Sequence, residues 1–337
     1  MRRWIVVVPF LVVAATSFPV SAATPELVRD EARIAEQRPS RSDGYLVWSA
    51  FDLDTFRAHS WVMPDGGDPV RVDPIGTLSG TAVIDGTTVA YAEEEGRGSD
   101  IRFYDVVTQD RWDPPAGVNT DARETAPALS GDWLLFRRVN SNLVRFRNTF
   151  VKIILVNLDT GERRTLVHSQ HDRRFVTTDQ VNGDWLTYES CRFQDFRYEN
   201  CQQFLYQIST GTKSKLPNPA QQYAGGVTTD GTVYLVRSGG AKRWVCGRNA
   251  RIVRVPLSED GEVIAQLPAE IDALTGFAFE EAYDSVTYYL ARGSCRTGDE
   301  GIYAIRNADT TTLSDADRRA ASDASPRRSP SALRRAA

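Results

Sequence analysis

Short apolar segments bounded by small polar turns recur six times along this chain. Each begins at a turn built from Ser, Asn, Asp or Gly and continues into a run of strand-type apolar residues. The six turn-and-strand segments are residues 42–48, 85–91, 130–136, 182–188, 230–236 and 284–290. Their spacing runs from 42 to 53 residues with a mean of 48. That period matches the ~40–50 residues of a four-stranded propeller blade.

A second β-type segment follows in every repeat and is rich in β-branched and aromatic residues, which suit a pleated, half-buried surface. These six segments are residues 60–67, 101–108, 153–161, 204–211, 252–261 and 302–309. Four of them end in turns that contain Gly, which supplies the positive φ of a tight hairpin. No helical pattern separates the strands, so the sequence argues against a parallel sheet of βαβ units.

The repeats occupy residues 27–313, which is nearly the whole chain. We therefore predict an all-β fold, a six-bladed β-propeller of four-stranded antiparallel blades, over residues 42–313. One large β-sandwich is the alternative all-β fold, but it does not account for a turn pair that recurs about every 48 residues. Five or seven blades remain open if the weak first or last repeat is misread.

The repeats resemble the propeller portion of the TolB-type, WD40-like six-bladed β-propeller family. The resemblance is carried by residues 152–166 and 61–67, where a strand, an aspartate-bearing turn, a Gly and a further strand follow one another. It implies a propeller used for protein binding, for ligand binding or, next to a hydrolase domain, for substrate gating. TolB also has an α/β domain before its propeller, and residues 24–41 are too short for one, so its envelope role does not transfer.

The first 22 residues are predicted to be a cleaved signal peptide. Arg2 and Arg3 precede an apolar run at residues 4–15, and residues 20–22 form a small-residue cleavage site. The run is shorter than the ~20 apolar residues of a membrane-spanning helix. The sequence therefore predicts export, either secretion or delivery to the periplasm or cell envelope, with no membrane span.

The two ends of the exported chain are predicted to differ. Residues 23–41 form an N-terminal segment that closes the ring, and residues 314–337 form a disordered tail of Arg, Ala, Ser, Asp and Pro without an aromatic residue. The signal segment carries +2 and the tail +3, so the remainder of the −4 chain has a formal charge of −9. That acidic body argues against nucleic acid as a partner, and we expect a monomer.

Four cysteines in an exported chain predict two disulfides. Cys191 and Cys201 flank one hairpin loop of the fourth repeat, while Cys246 and Cys295 lie in the equivalent loops of repeats five and six. We therefore predict the pairs Cys191–Cys201 and Cys246–Cys295 among the three pairings that four cysteines allow. A zinc site is the alternative, but no Cys-x-x-Cys spacing supports it.

No catalytic motif is found in the sequence: it contains no P-loop, dinucleotide fingerprint, His-Glu-x-x-His, EF-hand loop or Gly-x-Ser-x-Gly elbow. His168 and His171 are interpreted as solvated loop residues and His59 as the end of a loop. Asp52 and Asp54 are too few for a calcium loop. We therefore predict no catalytic residue, metal or cofactor, although carboxylate pairs that meet across a central channel leave no spacing signal in one sequence.

The loops between the second and third strands of each repeat, here called the B–C loops, are predicted to be long and to carry the binding residues. Together with the connections between repeats they form one surface, the B–C face. Repeats one and two contribute acidic residues to it, namely Asp52, Asp54, Glu93, Glu94 and Glu95. The later repeats contribute the predicted binding residues, which are Arg137, Arg138, Arg145, Phe146, Arg147, Arg192, Phe193, Phe196, Arg197, Tyr198, Arg243 and Trp244. The B–C face is thus predicted to be bipolar.

Two interpretations of this arginine-aromatic set remain open. Arg and aromatic residues are enriched at binding hot spots, which favours an exported, non-catalytic recognition or scaffold propeller that binds a protein or an anionic glycan. The same residues could instead extend the hairpins, with the aromatics packed inward and the arginines paired with the acidic residues of repeat two. The alternative function is a secreted glycan lyase or hydrolase whose site lies at the central channel.

Overall fold

The chain folds entirely into β-strands and turns over the residues that the structure, a computed structural model, describes. Those residues are 26–30, 34–52, 55, 57–75, 77–95, 98–140, 150–170, 174–194, 197–216, 222–237, 251–255, 262–266, 276–281, 286–292 and 301–306. The signal segment, the tail and the second predicted disulfide lie outside them. The described part of the chain contains no helix with the length and hydropathy that a membrane crossing needs.

The strands form successive antiparallel units of four, numbered here in chain order. Unit one contains β2 (Ile34–Ser42), β3 (Tyr45–Asp52), β4 (Arg57–Pro64) and β5 (Val70–Arg71). Unit two contains β6 (Leu78–Asp85), β7 (Thr88–Glu95), β8 (Gly98–Asp105) and β9 (Arg111–Trp112). Unit three contains β10 (Arg123–Ser130), β11 (Trp133–Asn140), β12 (Phe150–Asn157) and β13 (Arg163–Gln170). Units two and three are joined into one larger sheet by a single parallel bridge between Ser99 and Arg123.

The second half of the chain repeats the pattern. Unit four contains β14 (Arg174–Asn182), β15 (Trp185–Gln194), β16 (Arg197–Gln207) and β17 (Lys213–Lys215). Unit five contains β18 (Gln222–Val227), β19 (Val233–Arg237), β20 (Arg251–Val255) and β21 (Glu262–Gln266). Unit six contains β22 (Gly276–Glu281), β23 (Val286–Arg292) and β24 (Gly301–Arg306), and its fourth strand is the N-terminal strand β1 (Glu26–Asp30).

The first strand of each unit contacts the first strand of the next. These contacts join β2 to β6, β6 to β10, β10 to β14, β14 to β18 and β18 to β22, and β22 also contacts β2. At the same place β1 pairs antiparallel with β24, between Glu26 and Ala304 and between Asp30 and Gly301. The two ends of the described chain therefore meet in one sheet.

Apolar side chains between neighbouring units form the core. The second strand of units one to four buries an aromatic ring that is at most 2% exposed, and these rings belong to Trp48, Tyr91, Phe136 and Tyr188. One cluster packs Val47 and Val62 of unit one against Ile84, Val89 and Tyr104 of unit two. Clusters of the same kind join units two and three, three and four, and four and five. Units two, three and four therefore bury apolar side chains on both faces, so each of these sheets needs a neighbour on either side.

Hydrogen bonds between units start from the residue that ends the first strand. Its side chain accepts the backbone N–H of a turn glycine in the following unit, where the first and second strands meet. The pairs are Ser42 Oγ with Gly86 N (2.9 Å), Asp85 Oδ2 with Gly131 N (2.7 Å) and Ser130 Oγ with Gly183 N (3.1 Å). The small polar residue that recurs in the sequence thus ties the turns of units two, three and four to the unit before each of them.

Glycine is required at the corresponding turn of unit five. Gly231 has a φ of +87°, in the left-handed region that favours glycine. A Cβ atom at this position would also lie 2.7 Å from Cε2 of Trp185 in unit four. The turn can therefore approach the preceding unit only without a side chain.

Bulges interrupt the first strand in five units. The register shifts between Gln37 and Ser40, Ser79 and Ala82, Thr125 and Ala128, Thr178 and Gln180, and Tyr223 and Gly226. Two of these irregular stretches contain Pro39 and Pro127. Proline lacks the N–H that a regular ladder needs, so a bulge is one of the few strand positions that tolerate it.

The prediction that the B–C loops are long is wrong for units two and four. Residues 96–97 alone join β7 to β8, and residues 195–196 alone join β15 to β16, because the strands continue pairing almost to the tip. Glu93, Glu94, Arg192, Arg197 and their neighbours therefore lie on strands. The same holds for Arg137 and Arg138 on β11 and for His59 on β4, each of which was expected in or at the end of a loop.

We predict that the effect of replacing Asp85 on the melting temperature depends on whether the new side chain still accepts the hydrogen bond from Gly131 N. Burial and the nearby Asp43 raise the pKa of the Asp85 carboxyl, while its hydrogen bond from Gly131 lowers it. Asp85→Asn keeps an oxygen for Gly131 and removes a poorly solvated charge, so the melting temperature at pH 7 should be unchanged or higher. Asp85→Ala leaves the N–H without its acceptor and should cost about 1 kcal/mol.

The stability difference between Asp85→Asn and the wild type should also depend on pH. Since the folded pKa of Asp85 lies above the unfolded value, its contribution to stability is full below pH 3.8 and is lost as the pH rises through the folded pKa. The advantage of Asp85→Asn over the wild type, measured by thermal unfolding, should therefore be larger at pH 7 than at pH 3. An advantage that shrinks as the pH rises would contradict this interpretation.

Candidate binding surface

Arg138, predicted as a binding residue, is held inside unit three. Its Nε donates to Oε1 of Glu124 at 2.6 Å, and its Nη2 donates to the carbonyl oxygens of Gly117 (3.1 Å) and Val118 (2.7 Å). The Glu124 carboxyl is fully buried. Burial raises its pKa against the opposing effect of hydrogen bonds from Thr120 and Arg138. Arg138 thus neutralises a buried acid, which assigns it to the packing of unit three rather than to a ligand surface.

Arg137, the neighbouring predicted binding residue, also contacts the sheet. It is half-buried, and its Nε donates to Thr125 Oγ1 of β10 at 2.9 Å. This bond links the B–C ends of β10 and β11.

The acidic residues of unit two already have cationic partners. Arg102 Nε lies 3.0 Å from Glu93 Oε2, and the same guanidinium contacts Asp113 and, at 3.5 Å, Asp100. Glu94 pairs with Arg123 at 3.5 Å. Neither arginine belongs to the predicted binding set. Arg102 pairs across the hairpin with Tyr91, and Tyr91 lies two residues before Glu93 on β7. Of the predicted acidic residues, Glu93 and Glu94 are therefore each paired with an arginine of units two and three.

The hairpin of β15 and β16 is the longest in the described chain, with strands of 10 and 11 residues. The ladder with β14 ends where Arg174 pairs with Arg192. Beyond that point the described residues of the hairpin pair with each other, between Phe193 and Tyr198 and between Gln194 and Arg197. The arginine-aromatic sequence of repeat four therefore forms a projecting β-hairpin tip.

A disulfide joins Cys191 to Cys201 at the base of this tip, which confirms one of the two predicted pairs. Both cysteines lie within strands, at a register shift between Ser190 and Arg192. A covalent link between the two strands restricts the hairpin to one register. The tip is therefore held by its own cross-link.

Arg192 is exposed at the base of the same tip. Within the described residues no carboxylate or other acceptor binds its guanidinium. In the ladder it is flanked by Arg174 on one side and Glu199 on the other.

The remaining predicted binding residues are only partly described. Phe193, Arg197 and Tyr198 have a described backbone, in the hairpin tip. Outside the described residues lie Arg145, Phe146, Arg147, Phe196, Arg243 and Trp244, together with Cys246, Cys295 and His171. The structure thus brings Arg192, Phe193, Arg197 and Tyr198 together, and the common site expected from all repeats stays a prediction.

A buried aspartate that the sequence did not single out organises the B–C end of unit one. The Asp73 carboxylate is fully buried and accepts bonds from Ser60 N (2.7 Å) and Ser79 Oγ (2.9 Å). It also accepts from Arg71 Nε (2.8 Å) and lies 3.0 Å from His59 Nδ1. By binding Ser60 N just beyond the end of β5, Asp73 replaces the missing outer strand of this sheet. No spacing rule reveals such a residue, because its partners come from three different strands, β4, β5 and β6.

The connection that follows Asp73 presents an isoleucine to solvent. Thr77 N donates to the carbonyl of Pro74 at 3.2 Å, which closes a turn, and Arg71 Nη2 donates to the carbonyls of both residues at 3.1 Å. Ile75 at this turn is 95% exposed. Arg71 therefore holds the backbone of this turn in place, while the apolar side chain of Ile75 faces solvent on the B–C face.

An enzyme at the central channel would need carboxylates that converge there from the first strands. Of the carboxylates described on these strands, Glu124 binds Arg138 and Asp85 binds Gly131 N. Asp179 lies at the bulge of β14. Its Oδ2 accepts a hydrogen bond from the amide nitrogen of Gln203 at 2.7 Å in the amide orientation that gives both the nitrogen and the oxygen a suitable partner. Each of these three groups serves a contact within or between units.

No protein family matches the chain, and no curated protein is detectably similar to it in sequence. Solved structures do resemble it. An acylaminoacyl peptidase from Pyrococcus horikoshii gives a TM-score of 0.50 at 12% identity, over 81% of this chain and 45% of the peptidase. An oligogalacturonate lyase from Vibrio parahaemolyticus gives 0.49 at 11%, over 85% and 97% of the two chains. TolB from Acinetobacter baumannii gives 0.43 at 12%, over 81% and 79%.

At such identities the likeness concerns the fold alone. The neighbours are β-propellers, and this chain shares their antiparallel four-stranded sheets. It spans less than half the length of the Pyrococcus peptidase. The function therefore has to be argued from the surface of this chain.

We predict that Asp73→Ala destabilises the protein by about 3–5 kcal/mol, the range for removing one partner of a buried charge pair. It leaves Ser60 N, Ser79 Oγ and Arg71 without their shared acceptor. The matched control is Asp65→Ala. Asp65 pairs with Arg41 but is 58% exposed, so its loss should cost at most about 1 kcal/mol. Chemical denaturation of both variants measures the difference, and equal losses would refute the role given to Asp73.

Proposed function

We propose that the six units form a closed, six-bladed β-propeller in which β1 and β24 join the ends of the chain. Two observations support the closure. The first strands contact one another in cyclic order, including β22 with β2, and the last sheet contains strands from both ends of the chain. A ring of this kind provides a rigid scaffold on which loops and hairpins of one face can act as a binding surface.

We further propose that this propeller is an exported, non-catalytic recognition module that binds an anionic ligand, a protein or a glycan, through the B–C face of unit four and its neighbours. The observation that carries the proposal is the projecting hairpin tip of β15 and β16, clamped by Cys191–Cys201. A hairpin cross-linked at its base loses little conformational freedom when a ligand binds, which favours affinity. It also presents Arg192, Phe193, Arg197 and Tyr198 within one short segment.

The charge distribution favours an anionic ligand. Glu93 and Glu94 pair with Arg102 and Arg123, whereas Arg192 has an exposed guanidinium. A carboxylate, sulfate or phosphate could reach this guanidinium from solvent. The planar guanidinium suits such groups because it can donate two parallel hydrogen bonds.

A partner protein would find further contacts on the same face. Ile75 projects from a turn that Arg71 holds in place, so its apolar surface is available without reorganisation of the chain. Large apolar residues on rigid loops contribute to the centres of protein interfaces. The hairpin tip and this turn are therefore the two described features that support recognition rather than catalysis.

Arginine replacement tests the proposed function. The mature chain, residues 23–337, is compared with the double variant Arg192→Ala and Arg197→Ala in binding to immobilised carboxylated and sulfated glycans and in pull-downs from the native secretome. Each lost charge-assisted contact should weaken binding by about tenfold or more, since hydrogen bonds to charged groups contribute ~1.5–3 kcal/mol. The melting temperature should change little because Arg192 is exposed.

The matched control is Arg163→Ala, an exposed arginine at the start of β13, on the opposite face of the molecule. It should leave binding unchanged. Intact binding together with a lower melting temperature in the double variant would instead support the packing interpretation of these arginines and would reject the recognition surface.

A further inference from the structure

Three potential metal ligands lie together at the base of the hairpin tip. Oε1 of Glu189 is 2.6 Å from Sγ of Cys191, which is bonded to Sγ of Cys201. All three ligand atoms lie within 4.8 Å of one another. Glu189 and Cys191 are each 1% exposed, and Cys201 is half-buried. A buried carboxylate oxygen thus touches a disulfide, whose sulfur has no proton to donate to it.

The backbone explains why these side chains meet. Glu189 and Cys191 are two residues apart on β15, so they start on the same side of the strand. The register shift after Ser190 then sets Cys191 against two residues of β16, the second of which is Cys201. Bulges of this kind re-aim side chains next to functional sites.

The surroundings of Glu189 are rich in oxygen. The amide of Gln203, a residue 2% exposed, has one end 3.5 Å from Glu189 Oε2. Its other end faces Asp179 Oδ2 at 2.7 Å, and that contact requires the amide nitrogen. The end that faces Glu189 is then the carbonyl oxygen. The amide oxygen thus lies beside Oε2 of the buried carboxylate and the disulfide sulfur beside its Oε1, so both oxygens of Glu189 face electron-rich atoms, which favours a cation.

We propose that reduction of Cys191–Cys201 converts this group into a binding site for one divalent ion of the zinc class. The ligands are the two thiolates and the Glu189 carboxylate, and a fourth position is filled by water. Thiolate and carboxylate ligands in a four-coordinate site are characteristic of zinc. The oxidised chain has a cross-link at this position and the reduced chain has the metal, so either state holds the two strands of the hairpin together.

The chemistry balances with a dithiol reductant. The dithiol passes two electrons and two protons to the disulfide, so that two thiols form and the reductant becomes a disulfide. Binding of the ion then releases the two thiol protons to solvent. Before export a chain of this kind meets such reductants in the cytoplasm, where thiols are kept reduced.

Side-chain movements within the hairpin would open the site. Ligands at ~2.3 Å in a tetrahedral site lie about 3.7 Å from one another. On reduction the two bonded sulfurs must therefore separate, and Glu189 Oε1, now 2.6 Å from Cys191 Sγ, must also move away from it. The three ligand atoms lie within 4.8 Å of one another on two facing strands of one hairpin, so these movements stay local.

Cobalt(II) titration of the full mature chain tests the site, with Cys246→Ser and Cys295→Ser as the background so that only two thiols remain. After reduction with a phosphine, one equivalent of cobalt should bind and produce thiolate-to-cobalt charge-transfer absorption, and zinc should displace it. Without reduction neither signal should appear. Glu189→Gln should weaken cobalt binding by about tenfold or more, as loss of supporting residues already costs 10–100-fold in metal sites.

The matched control is Glu94→Gln, which changes an exposed carboxylate on β7 and should leave the affinity unchanged. The proposal is overturned if the reduced protein gives no charge-transfer absorption, or if Glu189→Gln and Glu94→Gln bind cobalt equally well. It is also overturned if Cys191→Ser with Cys201→Ser keeps the signal. Should that double variant fail to fold, the comparison of the two glutamate variants still decides the question.

Discussion

Units two to four of this protein are sheets with two apolar faces, and the constraint on them is that each must be fixed between its two neighbours. The hydrogen bond from the end of one first strand to the next turn provides that fixation, as between Asp85 and Gly131 or Ser130 and Gly183. Apolar packing alone is non-directional and would allow neighbouring sheets to slide. A short polar contact at the same place in successive units sets their relative position.

The same constraint separates scaffold from surface. Contacts that recur in several units, such as the buried aromatic of the second strand, cannot distinguish one ligand from another. Features that occur in one unit alone can distinguish one ligand from another. The clearest of these among the described residues is the β15–β16 hairpin with its disulfide and exposed Arg192. Unit one shows another solution, in which the carboxylate of Asp73 replaces an outer strand and supports the turn of Ile75. Recognition in this account depends on departures from the repeat.

The sequence predicted what depends on local pattern and missed what depends on register. The turns at Gly86, Gly131 and Gly183 and the strands beside them were placed from the apolar period and turn chemistry, and the Cys191–Cys201 pair from its spacing. The strand extension that places Arg192 on β15 was not predicted, because polar residues of a hairpin tip look like loop residues. The pairing of Arg138 with Glu124 joins residues 14 apart whose contact depends on the bulge at Ala126.

The central claim is that six units close into one ring through β1 and β24. Hydrogen–deuterium exchange of the backbone amides in Gly301–Arg306 tests it most directly, in the mature chain and in a chain that begins at residue 31 and so lacks β1. We expect slow exchange of these amides in the mature chain and much faster exchange without β1, because β24 then becomes an open edge strand that unfolds locally. Equal exchange rates in the two chains would contradict the closure.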